Sequence, residues 1–367
     1  MVSTEHQYST ETRLKRISWL SAADPAKKFG ILMHHFNEES LKVCFRELDG
    51  KKALGVDGVD KDSYAKDLDT NIPDLLDRMR RMACRPGPVR QVMIPKEGKP
   101  GATRPLGISN VEERSCKRVT RKVLESIYEP LFLPCSYGFR PGLGCHDAIK
   151  ALHRHLFHGK VETVIDIDLA DFFGSIDHRM LLAILQENIA DERFMRYIVR
   201  MFKAGVLAAS EMTVSEEGVP QGSICSPVLA NVMAHYVIDV WFAETVKTHC
   251  RGQVEIFRYC DDFVICCECR DDAERIRTAL SGRLNKFGLR LNEAKTQLVP
   301  FFIAALFDDP LLDVLSSLSP LGVDLFLGFP HELAIHLFGQ CVGGLDHVGL
   351  GIIAEDEADK PDARGSV

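Results

Sequence analysis

Two apolar runs meet at a pair of adjacent acids in Val254-Glu255-Ile256-Phe257-Arg258-Tyr259-Cys260-Asp261-Asp262-Phe263-Val264-Ile265-Cys266. The β-branched and aromatic residues on both sides predict a β-hairpin with Asp261 and Asp262 at its turn. Two neighbouring carboxylates in apolar surroundings repel, and burying either charge is costly. A divalent cation removes the conflict, because Mg²⁺ accepts a few carboxylate oxygens together with substrate phosphates. Taken alone, the hairpin leaves a metal-free acidic turn open as the alternative.

A second acidic strand end precedes it. Val161, Ile165 and Ile167 predict a strand whose opposite face carries Asp166 and Asp168. Leu169-Ala170-Asp171-Phe172-Phe173 follows, and Asp177 offers an N-cap to a helix through Leu181, Leu182 and Leu185. The segment therefore reads strand, turn, helix. One acid at a strand end and two at a hairpin turn can converge on two metal ions about 4 Å apart, the arrangement used for in-line phosphoryl displacement.

Composition bounds the class. The chain has 367 residues, of which 46% are hydrophobic and 26% charged, which fits a soluble globular protein with a real core. No stretch reaches the roughly 18 uninterrupted apolar residues of a membrane helix. Met1 to Arg16 is polar and lacks a signal-peptide core. A membrane protein, a disordered chain, a collagen-like fibre and a secreted mini-protein are all excluded on this reading. The 12 cysteines lack the paired spacing of a zinc ribbon. Cys266, Cys267 and Cys269 read as buried reduced thiols, and the expected location is the cytoplasm.

Charge is uneven. The net charge of −7 argues against a nucleic-acid binder until the chain is divided at residue 300. Residues 301–367 hold eleven acids against Lys360 and Arg364, a charge of −9, so the first 300 residues carry +2. Arg78, Arg80, Arg81, Arg85, Arg90, Lys96, Lys99 and Arg104 fall within 27 positions. Such a block either holds phosphates or forms a solvated helical face.

Four segments follow: 1–54, an N-terminal helical extension broken at Asp24-Pro25; 55–160; 161–300, mixing strands and helices; and the acidic tail 301–367. The second segment opens on the turn-rich Gly55-Val56-Asp57-Gly58-Val59. It continues with a helix over about 63–81, a strand over Val89 to Pro95, and a loop through Lys96-Glu97-Gly98-Lys99-Pro100-Gly101. A second helix is expected from Asn110, with Glu113 completing a capping pair, Val119, Val123 and Ile127 on one face, and Pro130 as its stop. Ser226-Pro227 reads as N-cap and first helical position, ahead of a buried face through Met233, Val237, Val240 and Trp241. His146, His153, His155 and His158 read as a polar helix face.

The ordered motifs now carry a family resemblance. Tyr259-Cys260-Asp261-Asp262 resembles the YxDD box of reverse transcriptases, and Asp168 with Phe172-Phe173 resembles that family's first palm motif. Gly218-Val219-Pro220-Gln221-Gly222 is similar to the PQG motif, and Leu291-Asn292-Glu293-Ala294-Lys295-Thr296 to the later palm motif with its lysine. Arg104-Pro105-Leu106-Gly107-Ile108 and Tyr137-Gly138-Phe139-Arg140-Pro141-Gly142 resemble fingers motifs. With Gly55–Val59, the set resembles the group II intron-encoded reverse transcriptase/maturase branch over about residues 30–300.

The resemblance implies an α+β right-hand polymerase fold, with fingers over 55–160 and palm over 161–300. The implied activity is RNA-directed DNA polymerisation, joining dNTPs to a primer 3′-hydroxyl on an RNA template, with intron RNA as the expected template. It assigns Asp168 and Asp261 as ligands of two Mg²⁺ ions, with Mn²⁺ able to substitute and Asp262 adjacent and supporting. Lys96 and Arg104 would hold the triphosphate. Phe173 would be the steric gate against a 2′-hydroxyl. Gln221 and Gly222 would place template–primer and nucleotide, and Lys295 would lie near the triphosphate or brace the palm. Asp166 shares the strand face but is not selected by the motif spacing.

The family's basic thumb has no counterpart in the acidic tail, so the thumb is expected to be absent or truncated, through truncation, a frame shift after about Val299, or divergence. Leu325-Phe326-Leu327-Gly328-Phe329 faintly resembles a family FLGF element. The alternatives are a non-catalytic RNA-binding or remnant protein, and a defence- or CRISPR-associated reverse transcriptase.

Overall fold

The structure is a computed structural model that describes residues 4–95, 101, 103–208, 211–219 and 222–301. Lys96, Gln221 and residues 302–367 with the FLGF-like element lie outside the described residues.

The chain opens with α1 (Thr4–Ala23), which ends before the expected break at Asp24-Pro25, then a 3₁₀ turn (Met33–His35) and α2 (Glu38–Arg46). Asp191, far along the chain, pins this region. Its carboxylate accepts from the backbone N–H of Leu32 at 2.6 Å and Met33 at 2.9 Å while also capping its own helix at Arg193 and Phe194. Burial pushes this carboxyl up, but the backbone N–H donors outweigh it and hold the group below the usual carboxylate range.

The helix expected over 63–81 is two helices, α3 (Lys61–Lys66) and α4 (Leu68–Arg80). Asp67 is the junction, ending α3 and preceding α4, and Pro73 lies inside α4, where it forfeits one i→i−4 hydrogen bond. β1 (Val89–Pro95) and β2 (Thr103–Ile108) pair antiparallel, and α5 (Val111–Tyr128) follows with Val119, Val123 and Ile127 buried. Asn110 stands at the N-cap of α5 and its Nδ2 reaches Glu113 Oε1 at 3.4 Å, but its side-chain oxygen does not cap the helix. Its Oδ1 instead accepts from the Val56 N–H at 2.9 Å, and Glu113 turns to the Gly87 N–H. Gly55 permits this, since a Cβ there would lie 2.1 Å from Asn110 Oδ1.

The central sheet is built from β3 (Thr163–Ile167), β6 (Val254–Tyr259), β7 (Asp262–Cys267) and β8 (Gln297–Pro300), in the order β6-β7-β3-β8, all antiparallel. Its side chains alternate between two cores. Val164, Phe257, Tyr259, Val264 and Cys266 meet α6 (Cys145–His158) through Ala148, Leu152 and Leu156. Ile165, Ile167, Ile256, Phe263, Ile265 and Cys267 join the larger core with α12 (Arg270–Asn285). That larger cluster runs from Ile17 through Leu75 and Ile127 to Leu291, drawing on all three segments before residue 300.

Between β3 and β6 lie α7 (Phe172–Ser175), α8 (His178–Asn188), α9 (Glu192–Phe202), the short strands β4 (Val206–Ala208) and β5 (Glu211–Thr213), and α10 (Ser226–Ala234). The second sheet runs β2-β1-β4-β5, with β1 and β4 parallel. Asp177 caps α8 as expected, accepting from the Met180 N–H at 2.9 Å. In α10 the cap is Cys225, so Ser226 and Pro227 sit one position further in than expected. The helix continues through π turns at His235–Asp239 and Phe242–Val246 into α11 (Lys247–His249). These turns rotate the buried face, and Val240 and Trp241 end half-buried while Ile238 and Phe242 are buried.

Candidate active site

The central register brings the two acidic contexts together. Ile167 pairs with Phe263, and Tyr259 pairs with Asp262 across the hairpin. Asp168, one residue beyond Ile167, therefore lies beside the Cys260-Asp261 turn. Cys260 takes a left-handed φ of 61°, unusual for a residue with a side chain. The Asp261 carboxyl is pushed above the usual range, chiefly by burial, with the negative charge of Asp168 adding to it. Asp262 is half-buried beside it.

The loop after α12 closes on Asp168. Leu169 bridges Leu291, and the Ala170 N–H donates to the Arg290 carbonyl at 2.9 Å. Asn292 then donates twice, from its backbone to the Asp168 carbonyl at 2.9 Å and from Nδ2 to Asp168 Oδ1 at 3.1 Å. Lys295 places its ammonium on Asp168 Oδ2. Asp166, on β3, faces the α6 side and pairs in register with Gln297.

A second group lies along the loop that follows β5. Asp171, at φ 43°, opens α7, which carries half-buried Phe173. The Phe173 carbonyl accepts from the Val219 N–H at 2.8 Å. Gly222, at φ 83°, passes so close to β2 that a Cβ would lie 2.4 Å from Leu106 Cδ1. The loop thus links Phe173 to the strand that carries Arg104. Arg104 is half-buried, pairs in register with Ile94, and makes no ion pair with another described residue. Three other residues of the basic block are engaged within the protein: Arg78 pairs with Asp74 and Glu112, Arg81 with Asp77, and Arg90 donates to the Leu54 carbonyl.

The fingers-like motif is also structural. Arg140 pairs with Glu129 at 2.7 Å and donates to the carbonyls of Leu133 and Ser136. Among the described residues no His, Cys, Asp and Glu side chains group as a three-residue metal cluster, and the described cysteines are unpaired thiols. Burial pushes the Cys267 thiol up to about 12. No helix among the described residues is long and apolar enough to cross a membrane.

Sequence reasoning assigned no role to Asn292 or to Arg258. Arg258 stands on the face of β6 that Ile256 gives to the larger core, where a charge demands a partner. That parity was legible; the partner, Asp239, is distant in sequence and is delivered by a π turn.

The family model for reverse transcriptase (RNA-dependent DNA polymerase) matches residues 94–325. Protein YkfC of Escherichia coli (strain K12) is 30% identical over 324 residues, covering 79% of this chain and 84% of its own length. The group II intron-encoded protein LtrA of Lactococcus lactis subsp. cremoris is 32% identical over 193 residues, covering 53% of this chain. A 91 kDa protein in the cob intron of Schizosaccharomyces pombe is 32% identical over 216 residues, covering 58% of this chain. The matched regions span 32% of the LtrA protein and 26% of the cob-intron protein. The chain belongs to the reverse transcriptase (RNA-dependent DNA polymerase) family, in the group of the group II intron-encoded reverse transcriptase/maturase proteins.

Proposed function

We propose that this chain is an RNA-directed DNA polymerase that extends a primer 3′-hydroxyl with dNTPs on an RNA template. The observation that carries the reading is the meeting of Asp168 with Asp261, in surroundings that push the Asp261 carboxyl up. Two carboxylates held in this way are relieved by added positive charge, so the donor set fits a hard divalent cation. Bound Mg²⁺ ions, for which Mn²⁺ can substitute, supply charge neutralisation at the attacking and leaving oxygens of an in-line displacement.

The chain's own residues do the rest. Asp168 and Asp261 present the carboxylates that would hold the ions, and Asp262 supports them. Arg104 and Lys96 neutralise the triphosphate, and Lys295 serves the same end of the nucleotide from Asp168. Phe173 lies under the sugar and excludes a 2′-hydroxyl. Gln221 and Gly222 bring the template–primer against β2, and the positive φ of Gly222 permits that approach. The RNA partner is read from the family and from the intron-encoded relatives.

The test is dNTP incorporation on poly(rA)/oligo(dT) with Mg²⁺, beside Asp261→Ala. Extension that disappears in the variant supports the reading. Folded wild-type protein that extends nothing, even at low salt, sinks it and favours a remnant that binds RNA without copying it.

A further inference from the structure

Arg258 is wholly buried, and its guanidinium is saturated. Nε donates to Asp239 Oδ1 at 2.7 Å and Nη2 to Asp239 Oδ2 at 2.5 Å, a two-pronged pair with no exposure on either side. Nη2 also donates to Ser136 Oγ at 2.7 Å. Nη1 donates to Asn231 Oδ1 at 3.1 Å and to the Cys260 carbonyl at 2.9 Å. The last contact belongs to the residue immediately before Asp261.

A buried ion pair is a poor device for stability alone, since desolvating both charges offsets most of their attraction. Here the fork ends on a turn that needs holding. Cys260 sits in the left-handed region, which a residue with a Cβ adopts only when its surroundings hold it there. The same turn is gripped from behind: Gly138 lies so close that a Cβ would sit 2.4 Å from the Cys260 nitrogen, and Asn231 Nδ2 fixes the Gly138 carbonyl at 2.7 Å. The segment carrying Gly138 is stitched to β6 by paired backbone bonds, Tyr137 N–H to the Arg258 carbonyl and Arg258 N–H to the Cys135 carbonyl, both at 2.8 Å.

We infer that Arg258, braced by Asp239, is a positioning residue that locks the Cys260-Asp261 turn in its strained form and so presents the Asp261 carboxylate beside Asp168. The inference rests on the reading of Asp261 as a metal ligand. Asp239 balances the charge of Arg258, so the pair acts through the Cys260 carbonyl, by geometry. The π turn at His235–Asp239 is part of the device, because it sets Asp239 opposite the guanidinium while Asn231 keeps its place earlier on the same helix.

The test separates positioning from folding. The double variant Arg258→Met/Asp239→Leu removes both charges and leaves neither stranded, a swap that buried pairs tolerate. Thermal melting reports its fold, electron paramagnetic resonance titration with Mn²⁺ alone reports the carboxylate site, and primer extension reports kcat and KM. The expected result is melting near wild type, Mn²⁺ affinity lower by about 10-fold or more, kcat lower by about 10- to 100-fold, and an unchanged KM for primer–template. Arg258→Lys keeps the charge beside Asp239 but cannot span Asp239, Ser136 and Cys260 together, and is expected to fall between the two. It decides the matter if the double variant does not fold. Wild-type Mn²⁺ affinity and kcat in a folded double variant, or in Arg258→Lys in its place, overturn the inference alone. Wild-type protein whose Mn²⁺ binding is absent or indifferent to Asp261→Ala overturns the metal-ligand reading as well.

Discussion

Lys295 lays its ammonium on the carboxylate of Asp168, joining the loop after α12 to the end of the first strand of the central sheet. The pair is partly exposed, so its net worth to stability is small. If Asp168 holds a metal ion as proposed, the consequence is competition, because a cation already stands on its carboxylate. Lys295→Ala is expected to raise the Mn²⁺ affinity of the nucleotide-free protein several-fold while lowering primer extension. Isothermal titration with Mn²⁺ and steady-state kinetics measure the two effects, and an affinity that falls on removing the lysine would contradict this account.

Gly138 is the tightest neighbour of the Asp261 turn. Gly138→Ala would force a Cβ to within 2.4 Å of the Cys260 nitrogen and 2.9 Å of the Tyr259 carbonyl carbon, both of them backbone atoms that cannot swing aside. The expected outcome is a loss of about 1–3 kcal/mol by denaturant melting, as for other overpacked sites, with a larger proportional loss of extension. Gly30, where an added Cβ would meet nothing within 4 Å, gives the matched control.

Asn110 ties the Gly55–Val59 loop to the start of α5. Asn110→Ala removes the acceptor for the Val56 N–H and is expected to cost about 1 kcal/mol, with faster amide exchange at Val56 and Asp57. Asn110→Asp keeps the acceptor and is expected to retain most of the protection. Unchanged exchange in Asn110→Ala would show that the loop is held by other contacts.

Much of this architecture was readable from local pattern. A period-two face marked β3, β-branched and aromatic runs marked β6 and β7, and the two acids between those runs marked the hairpin tip. The palm-and-fingers fold follows from the family, whose ordered motifs the sequence carries. What escaped the sequence depends on partners far apart in the chain. Asn110 looked like a side-chain cap for α5 because the donor that takes its oxygen instead, the Val56 N–H, lies 54 residues away. Arg258 looked like one more strand residue because its counter-ion arrives through a π turn, which shifts the helical register without any proline or glycine to announce it.

Three buried groups predict acid sensitivity in two separate windows. His35 and His235 are buried and held down to about 4, His35 chiefly by burial with His34 and Arg13 adding, and His235 by burial against the opposing pull of Asp239. Both rings keep a nitrogen without a hydrogen-bond partner among the described residues. In the unfolded chain each takes a proton near pH 6.5, so the unfolded state binds more protons between about pH 6.5 and 4, and stability falls as pH falls through that window. Asp191 acts lower. Its folded carboxyl lies below its unfolded value, so the stability from its four backbone donors is present above about pH 3.9 and is lost as pH drops through the folded value. Denaturant melts across pH 3 to 8 should show both slopes. His35→Leu is expected to flatten the upper window and leave the lower one, whereas Asp191→Asn should lower stability at neutral pH and flatten only the lower one. An upper slope that survives in the double variant His35→Leu/His235→Phe would mean that other groups carry it.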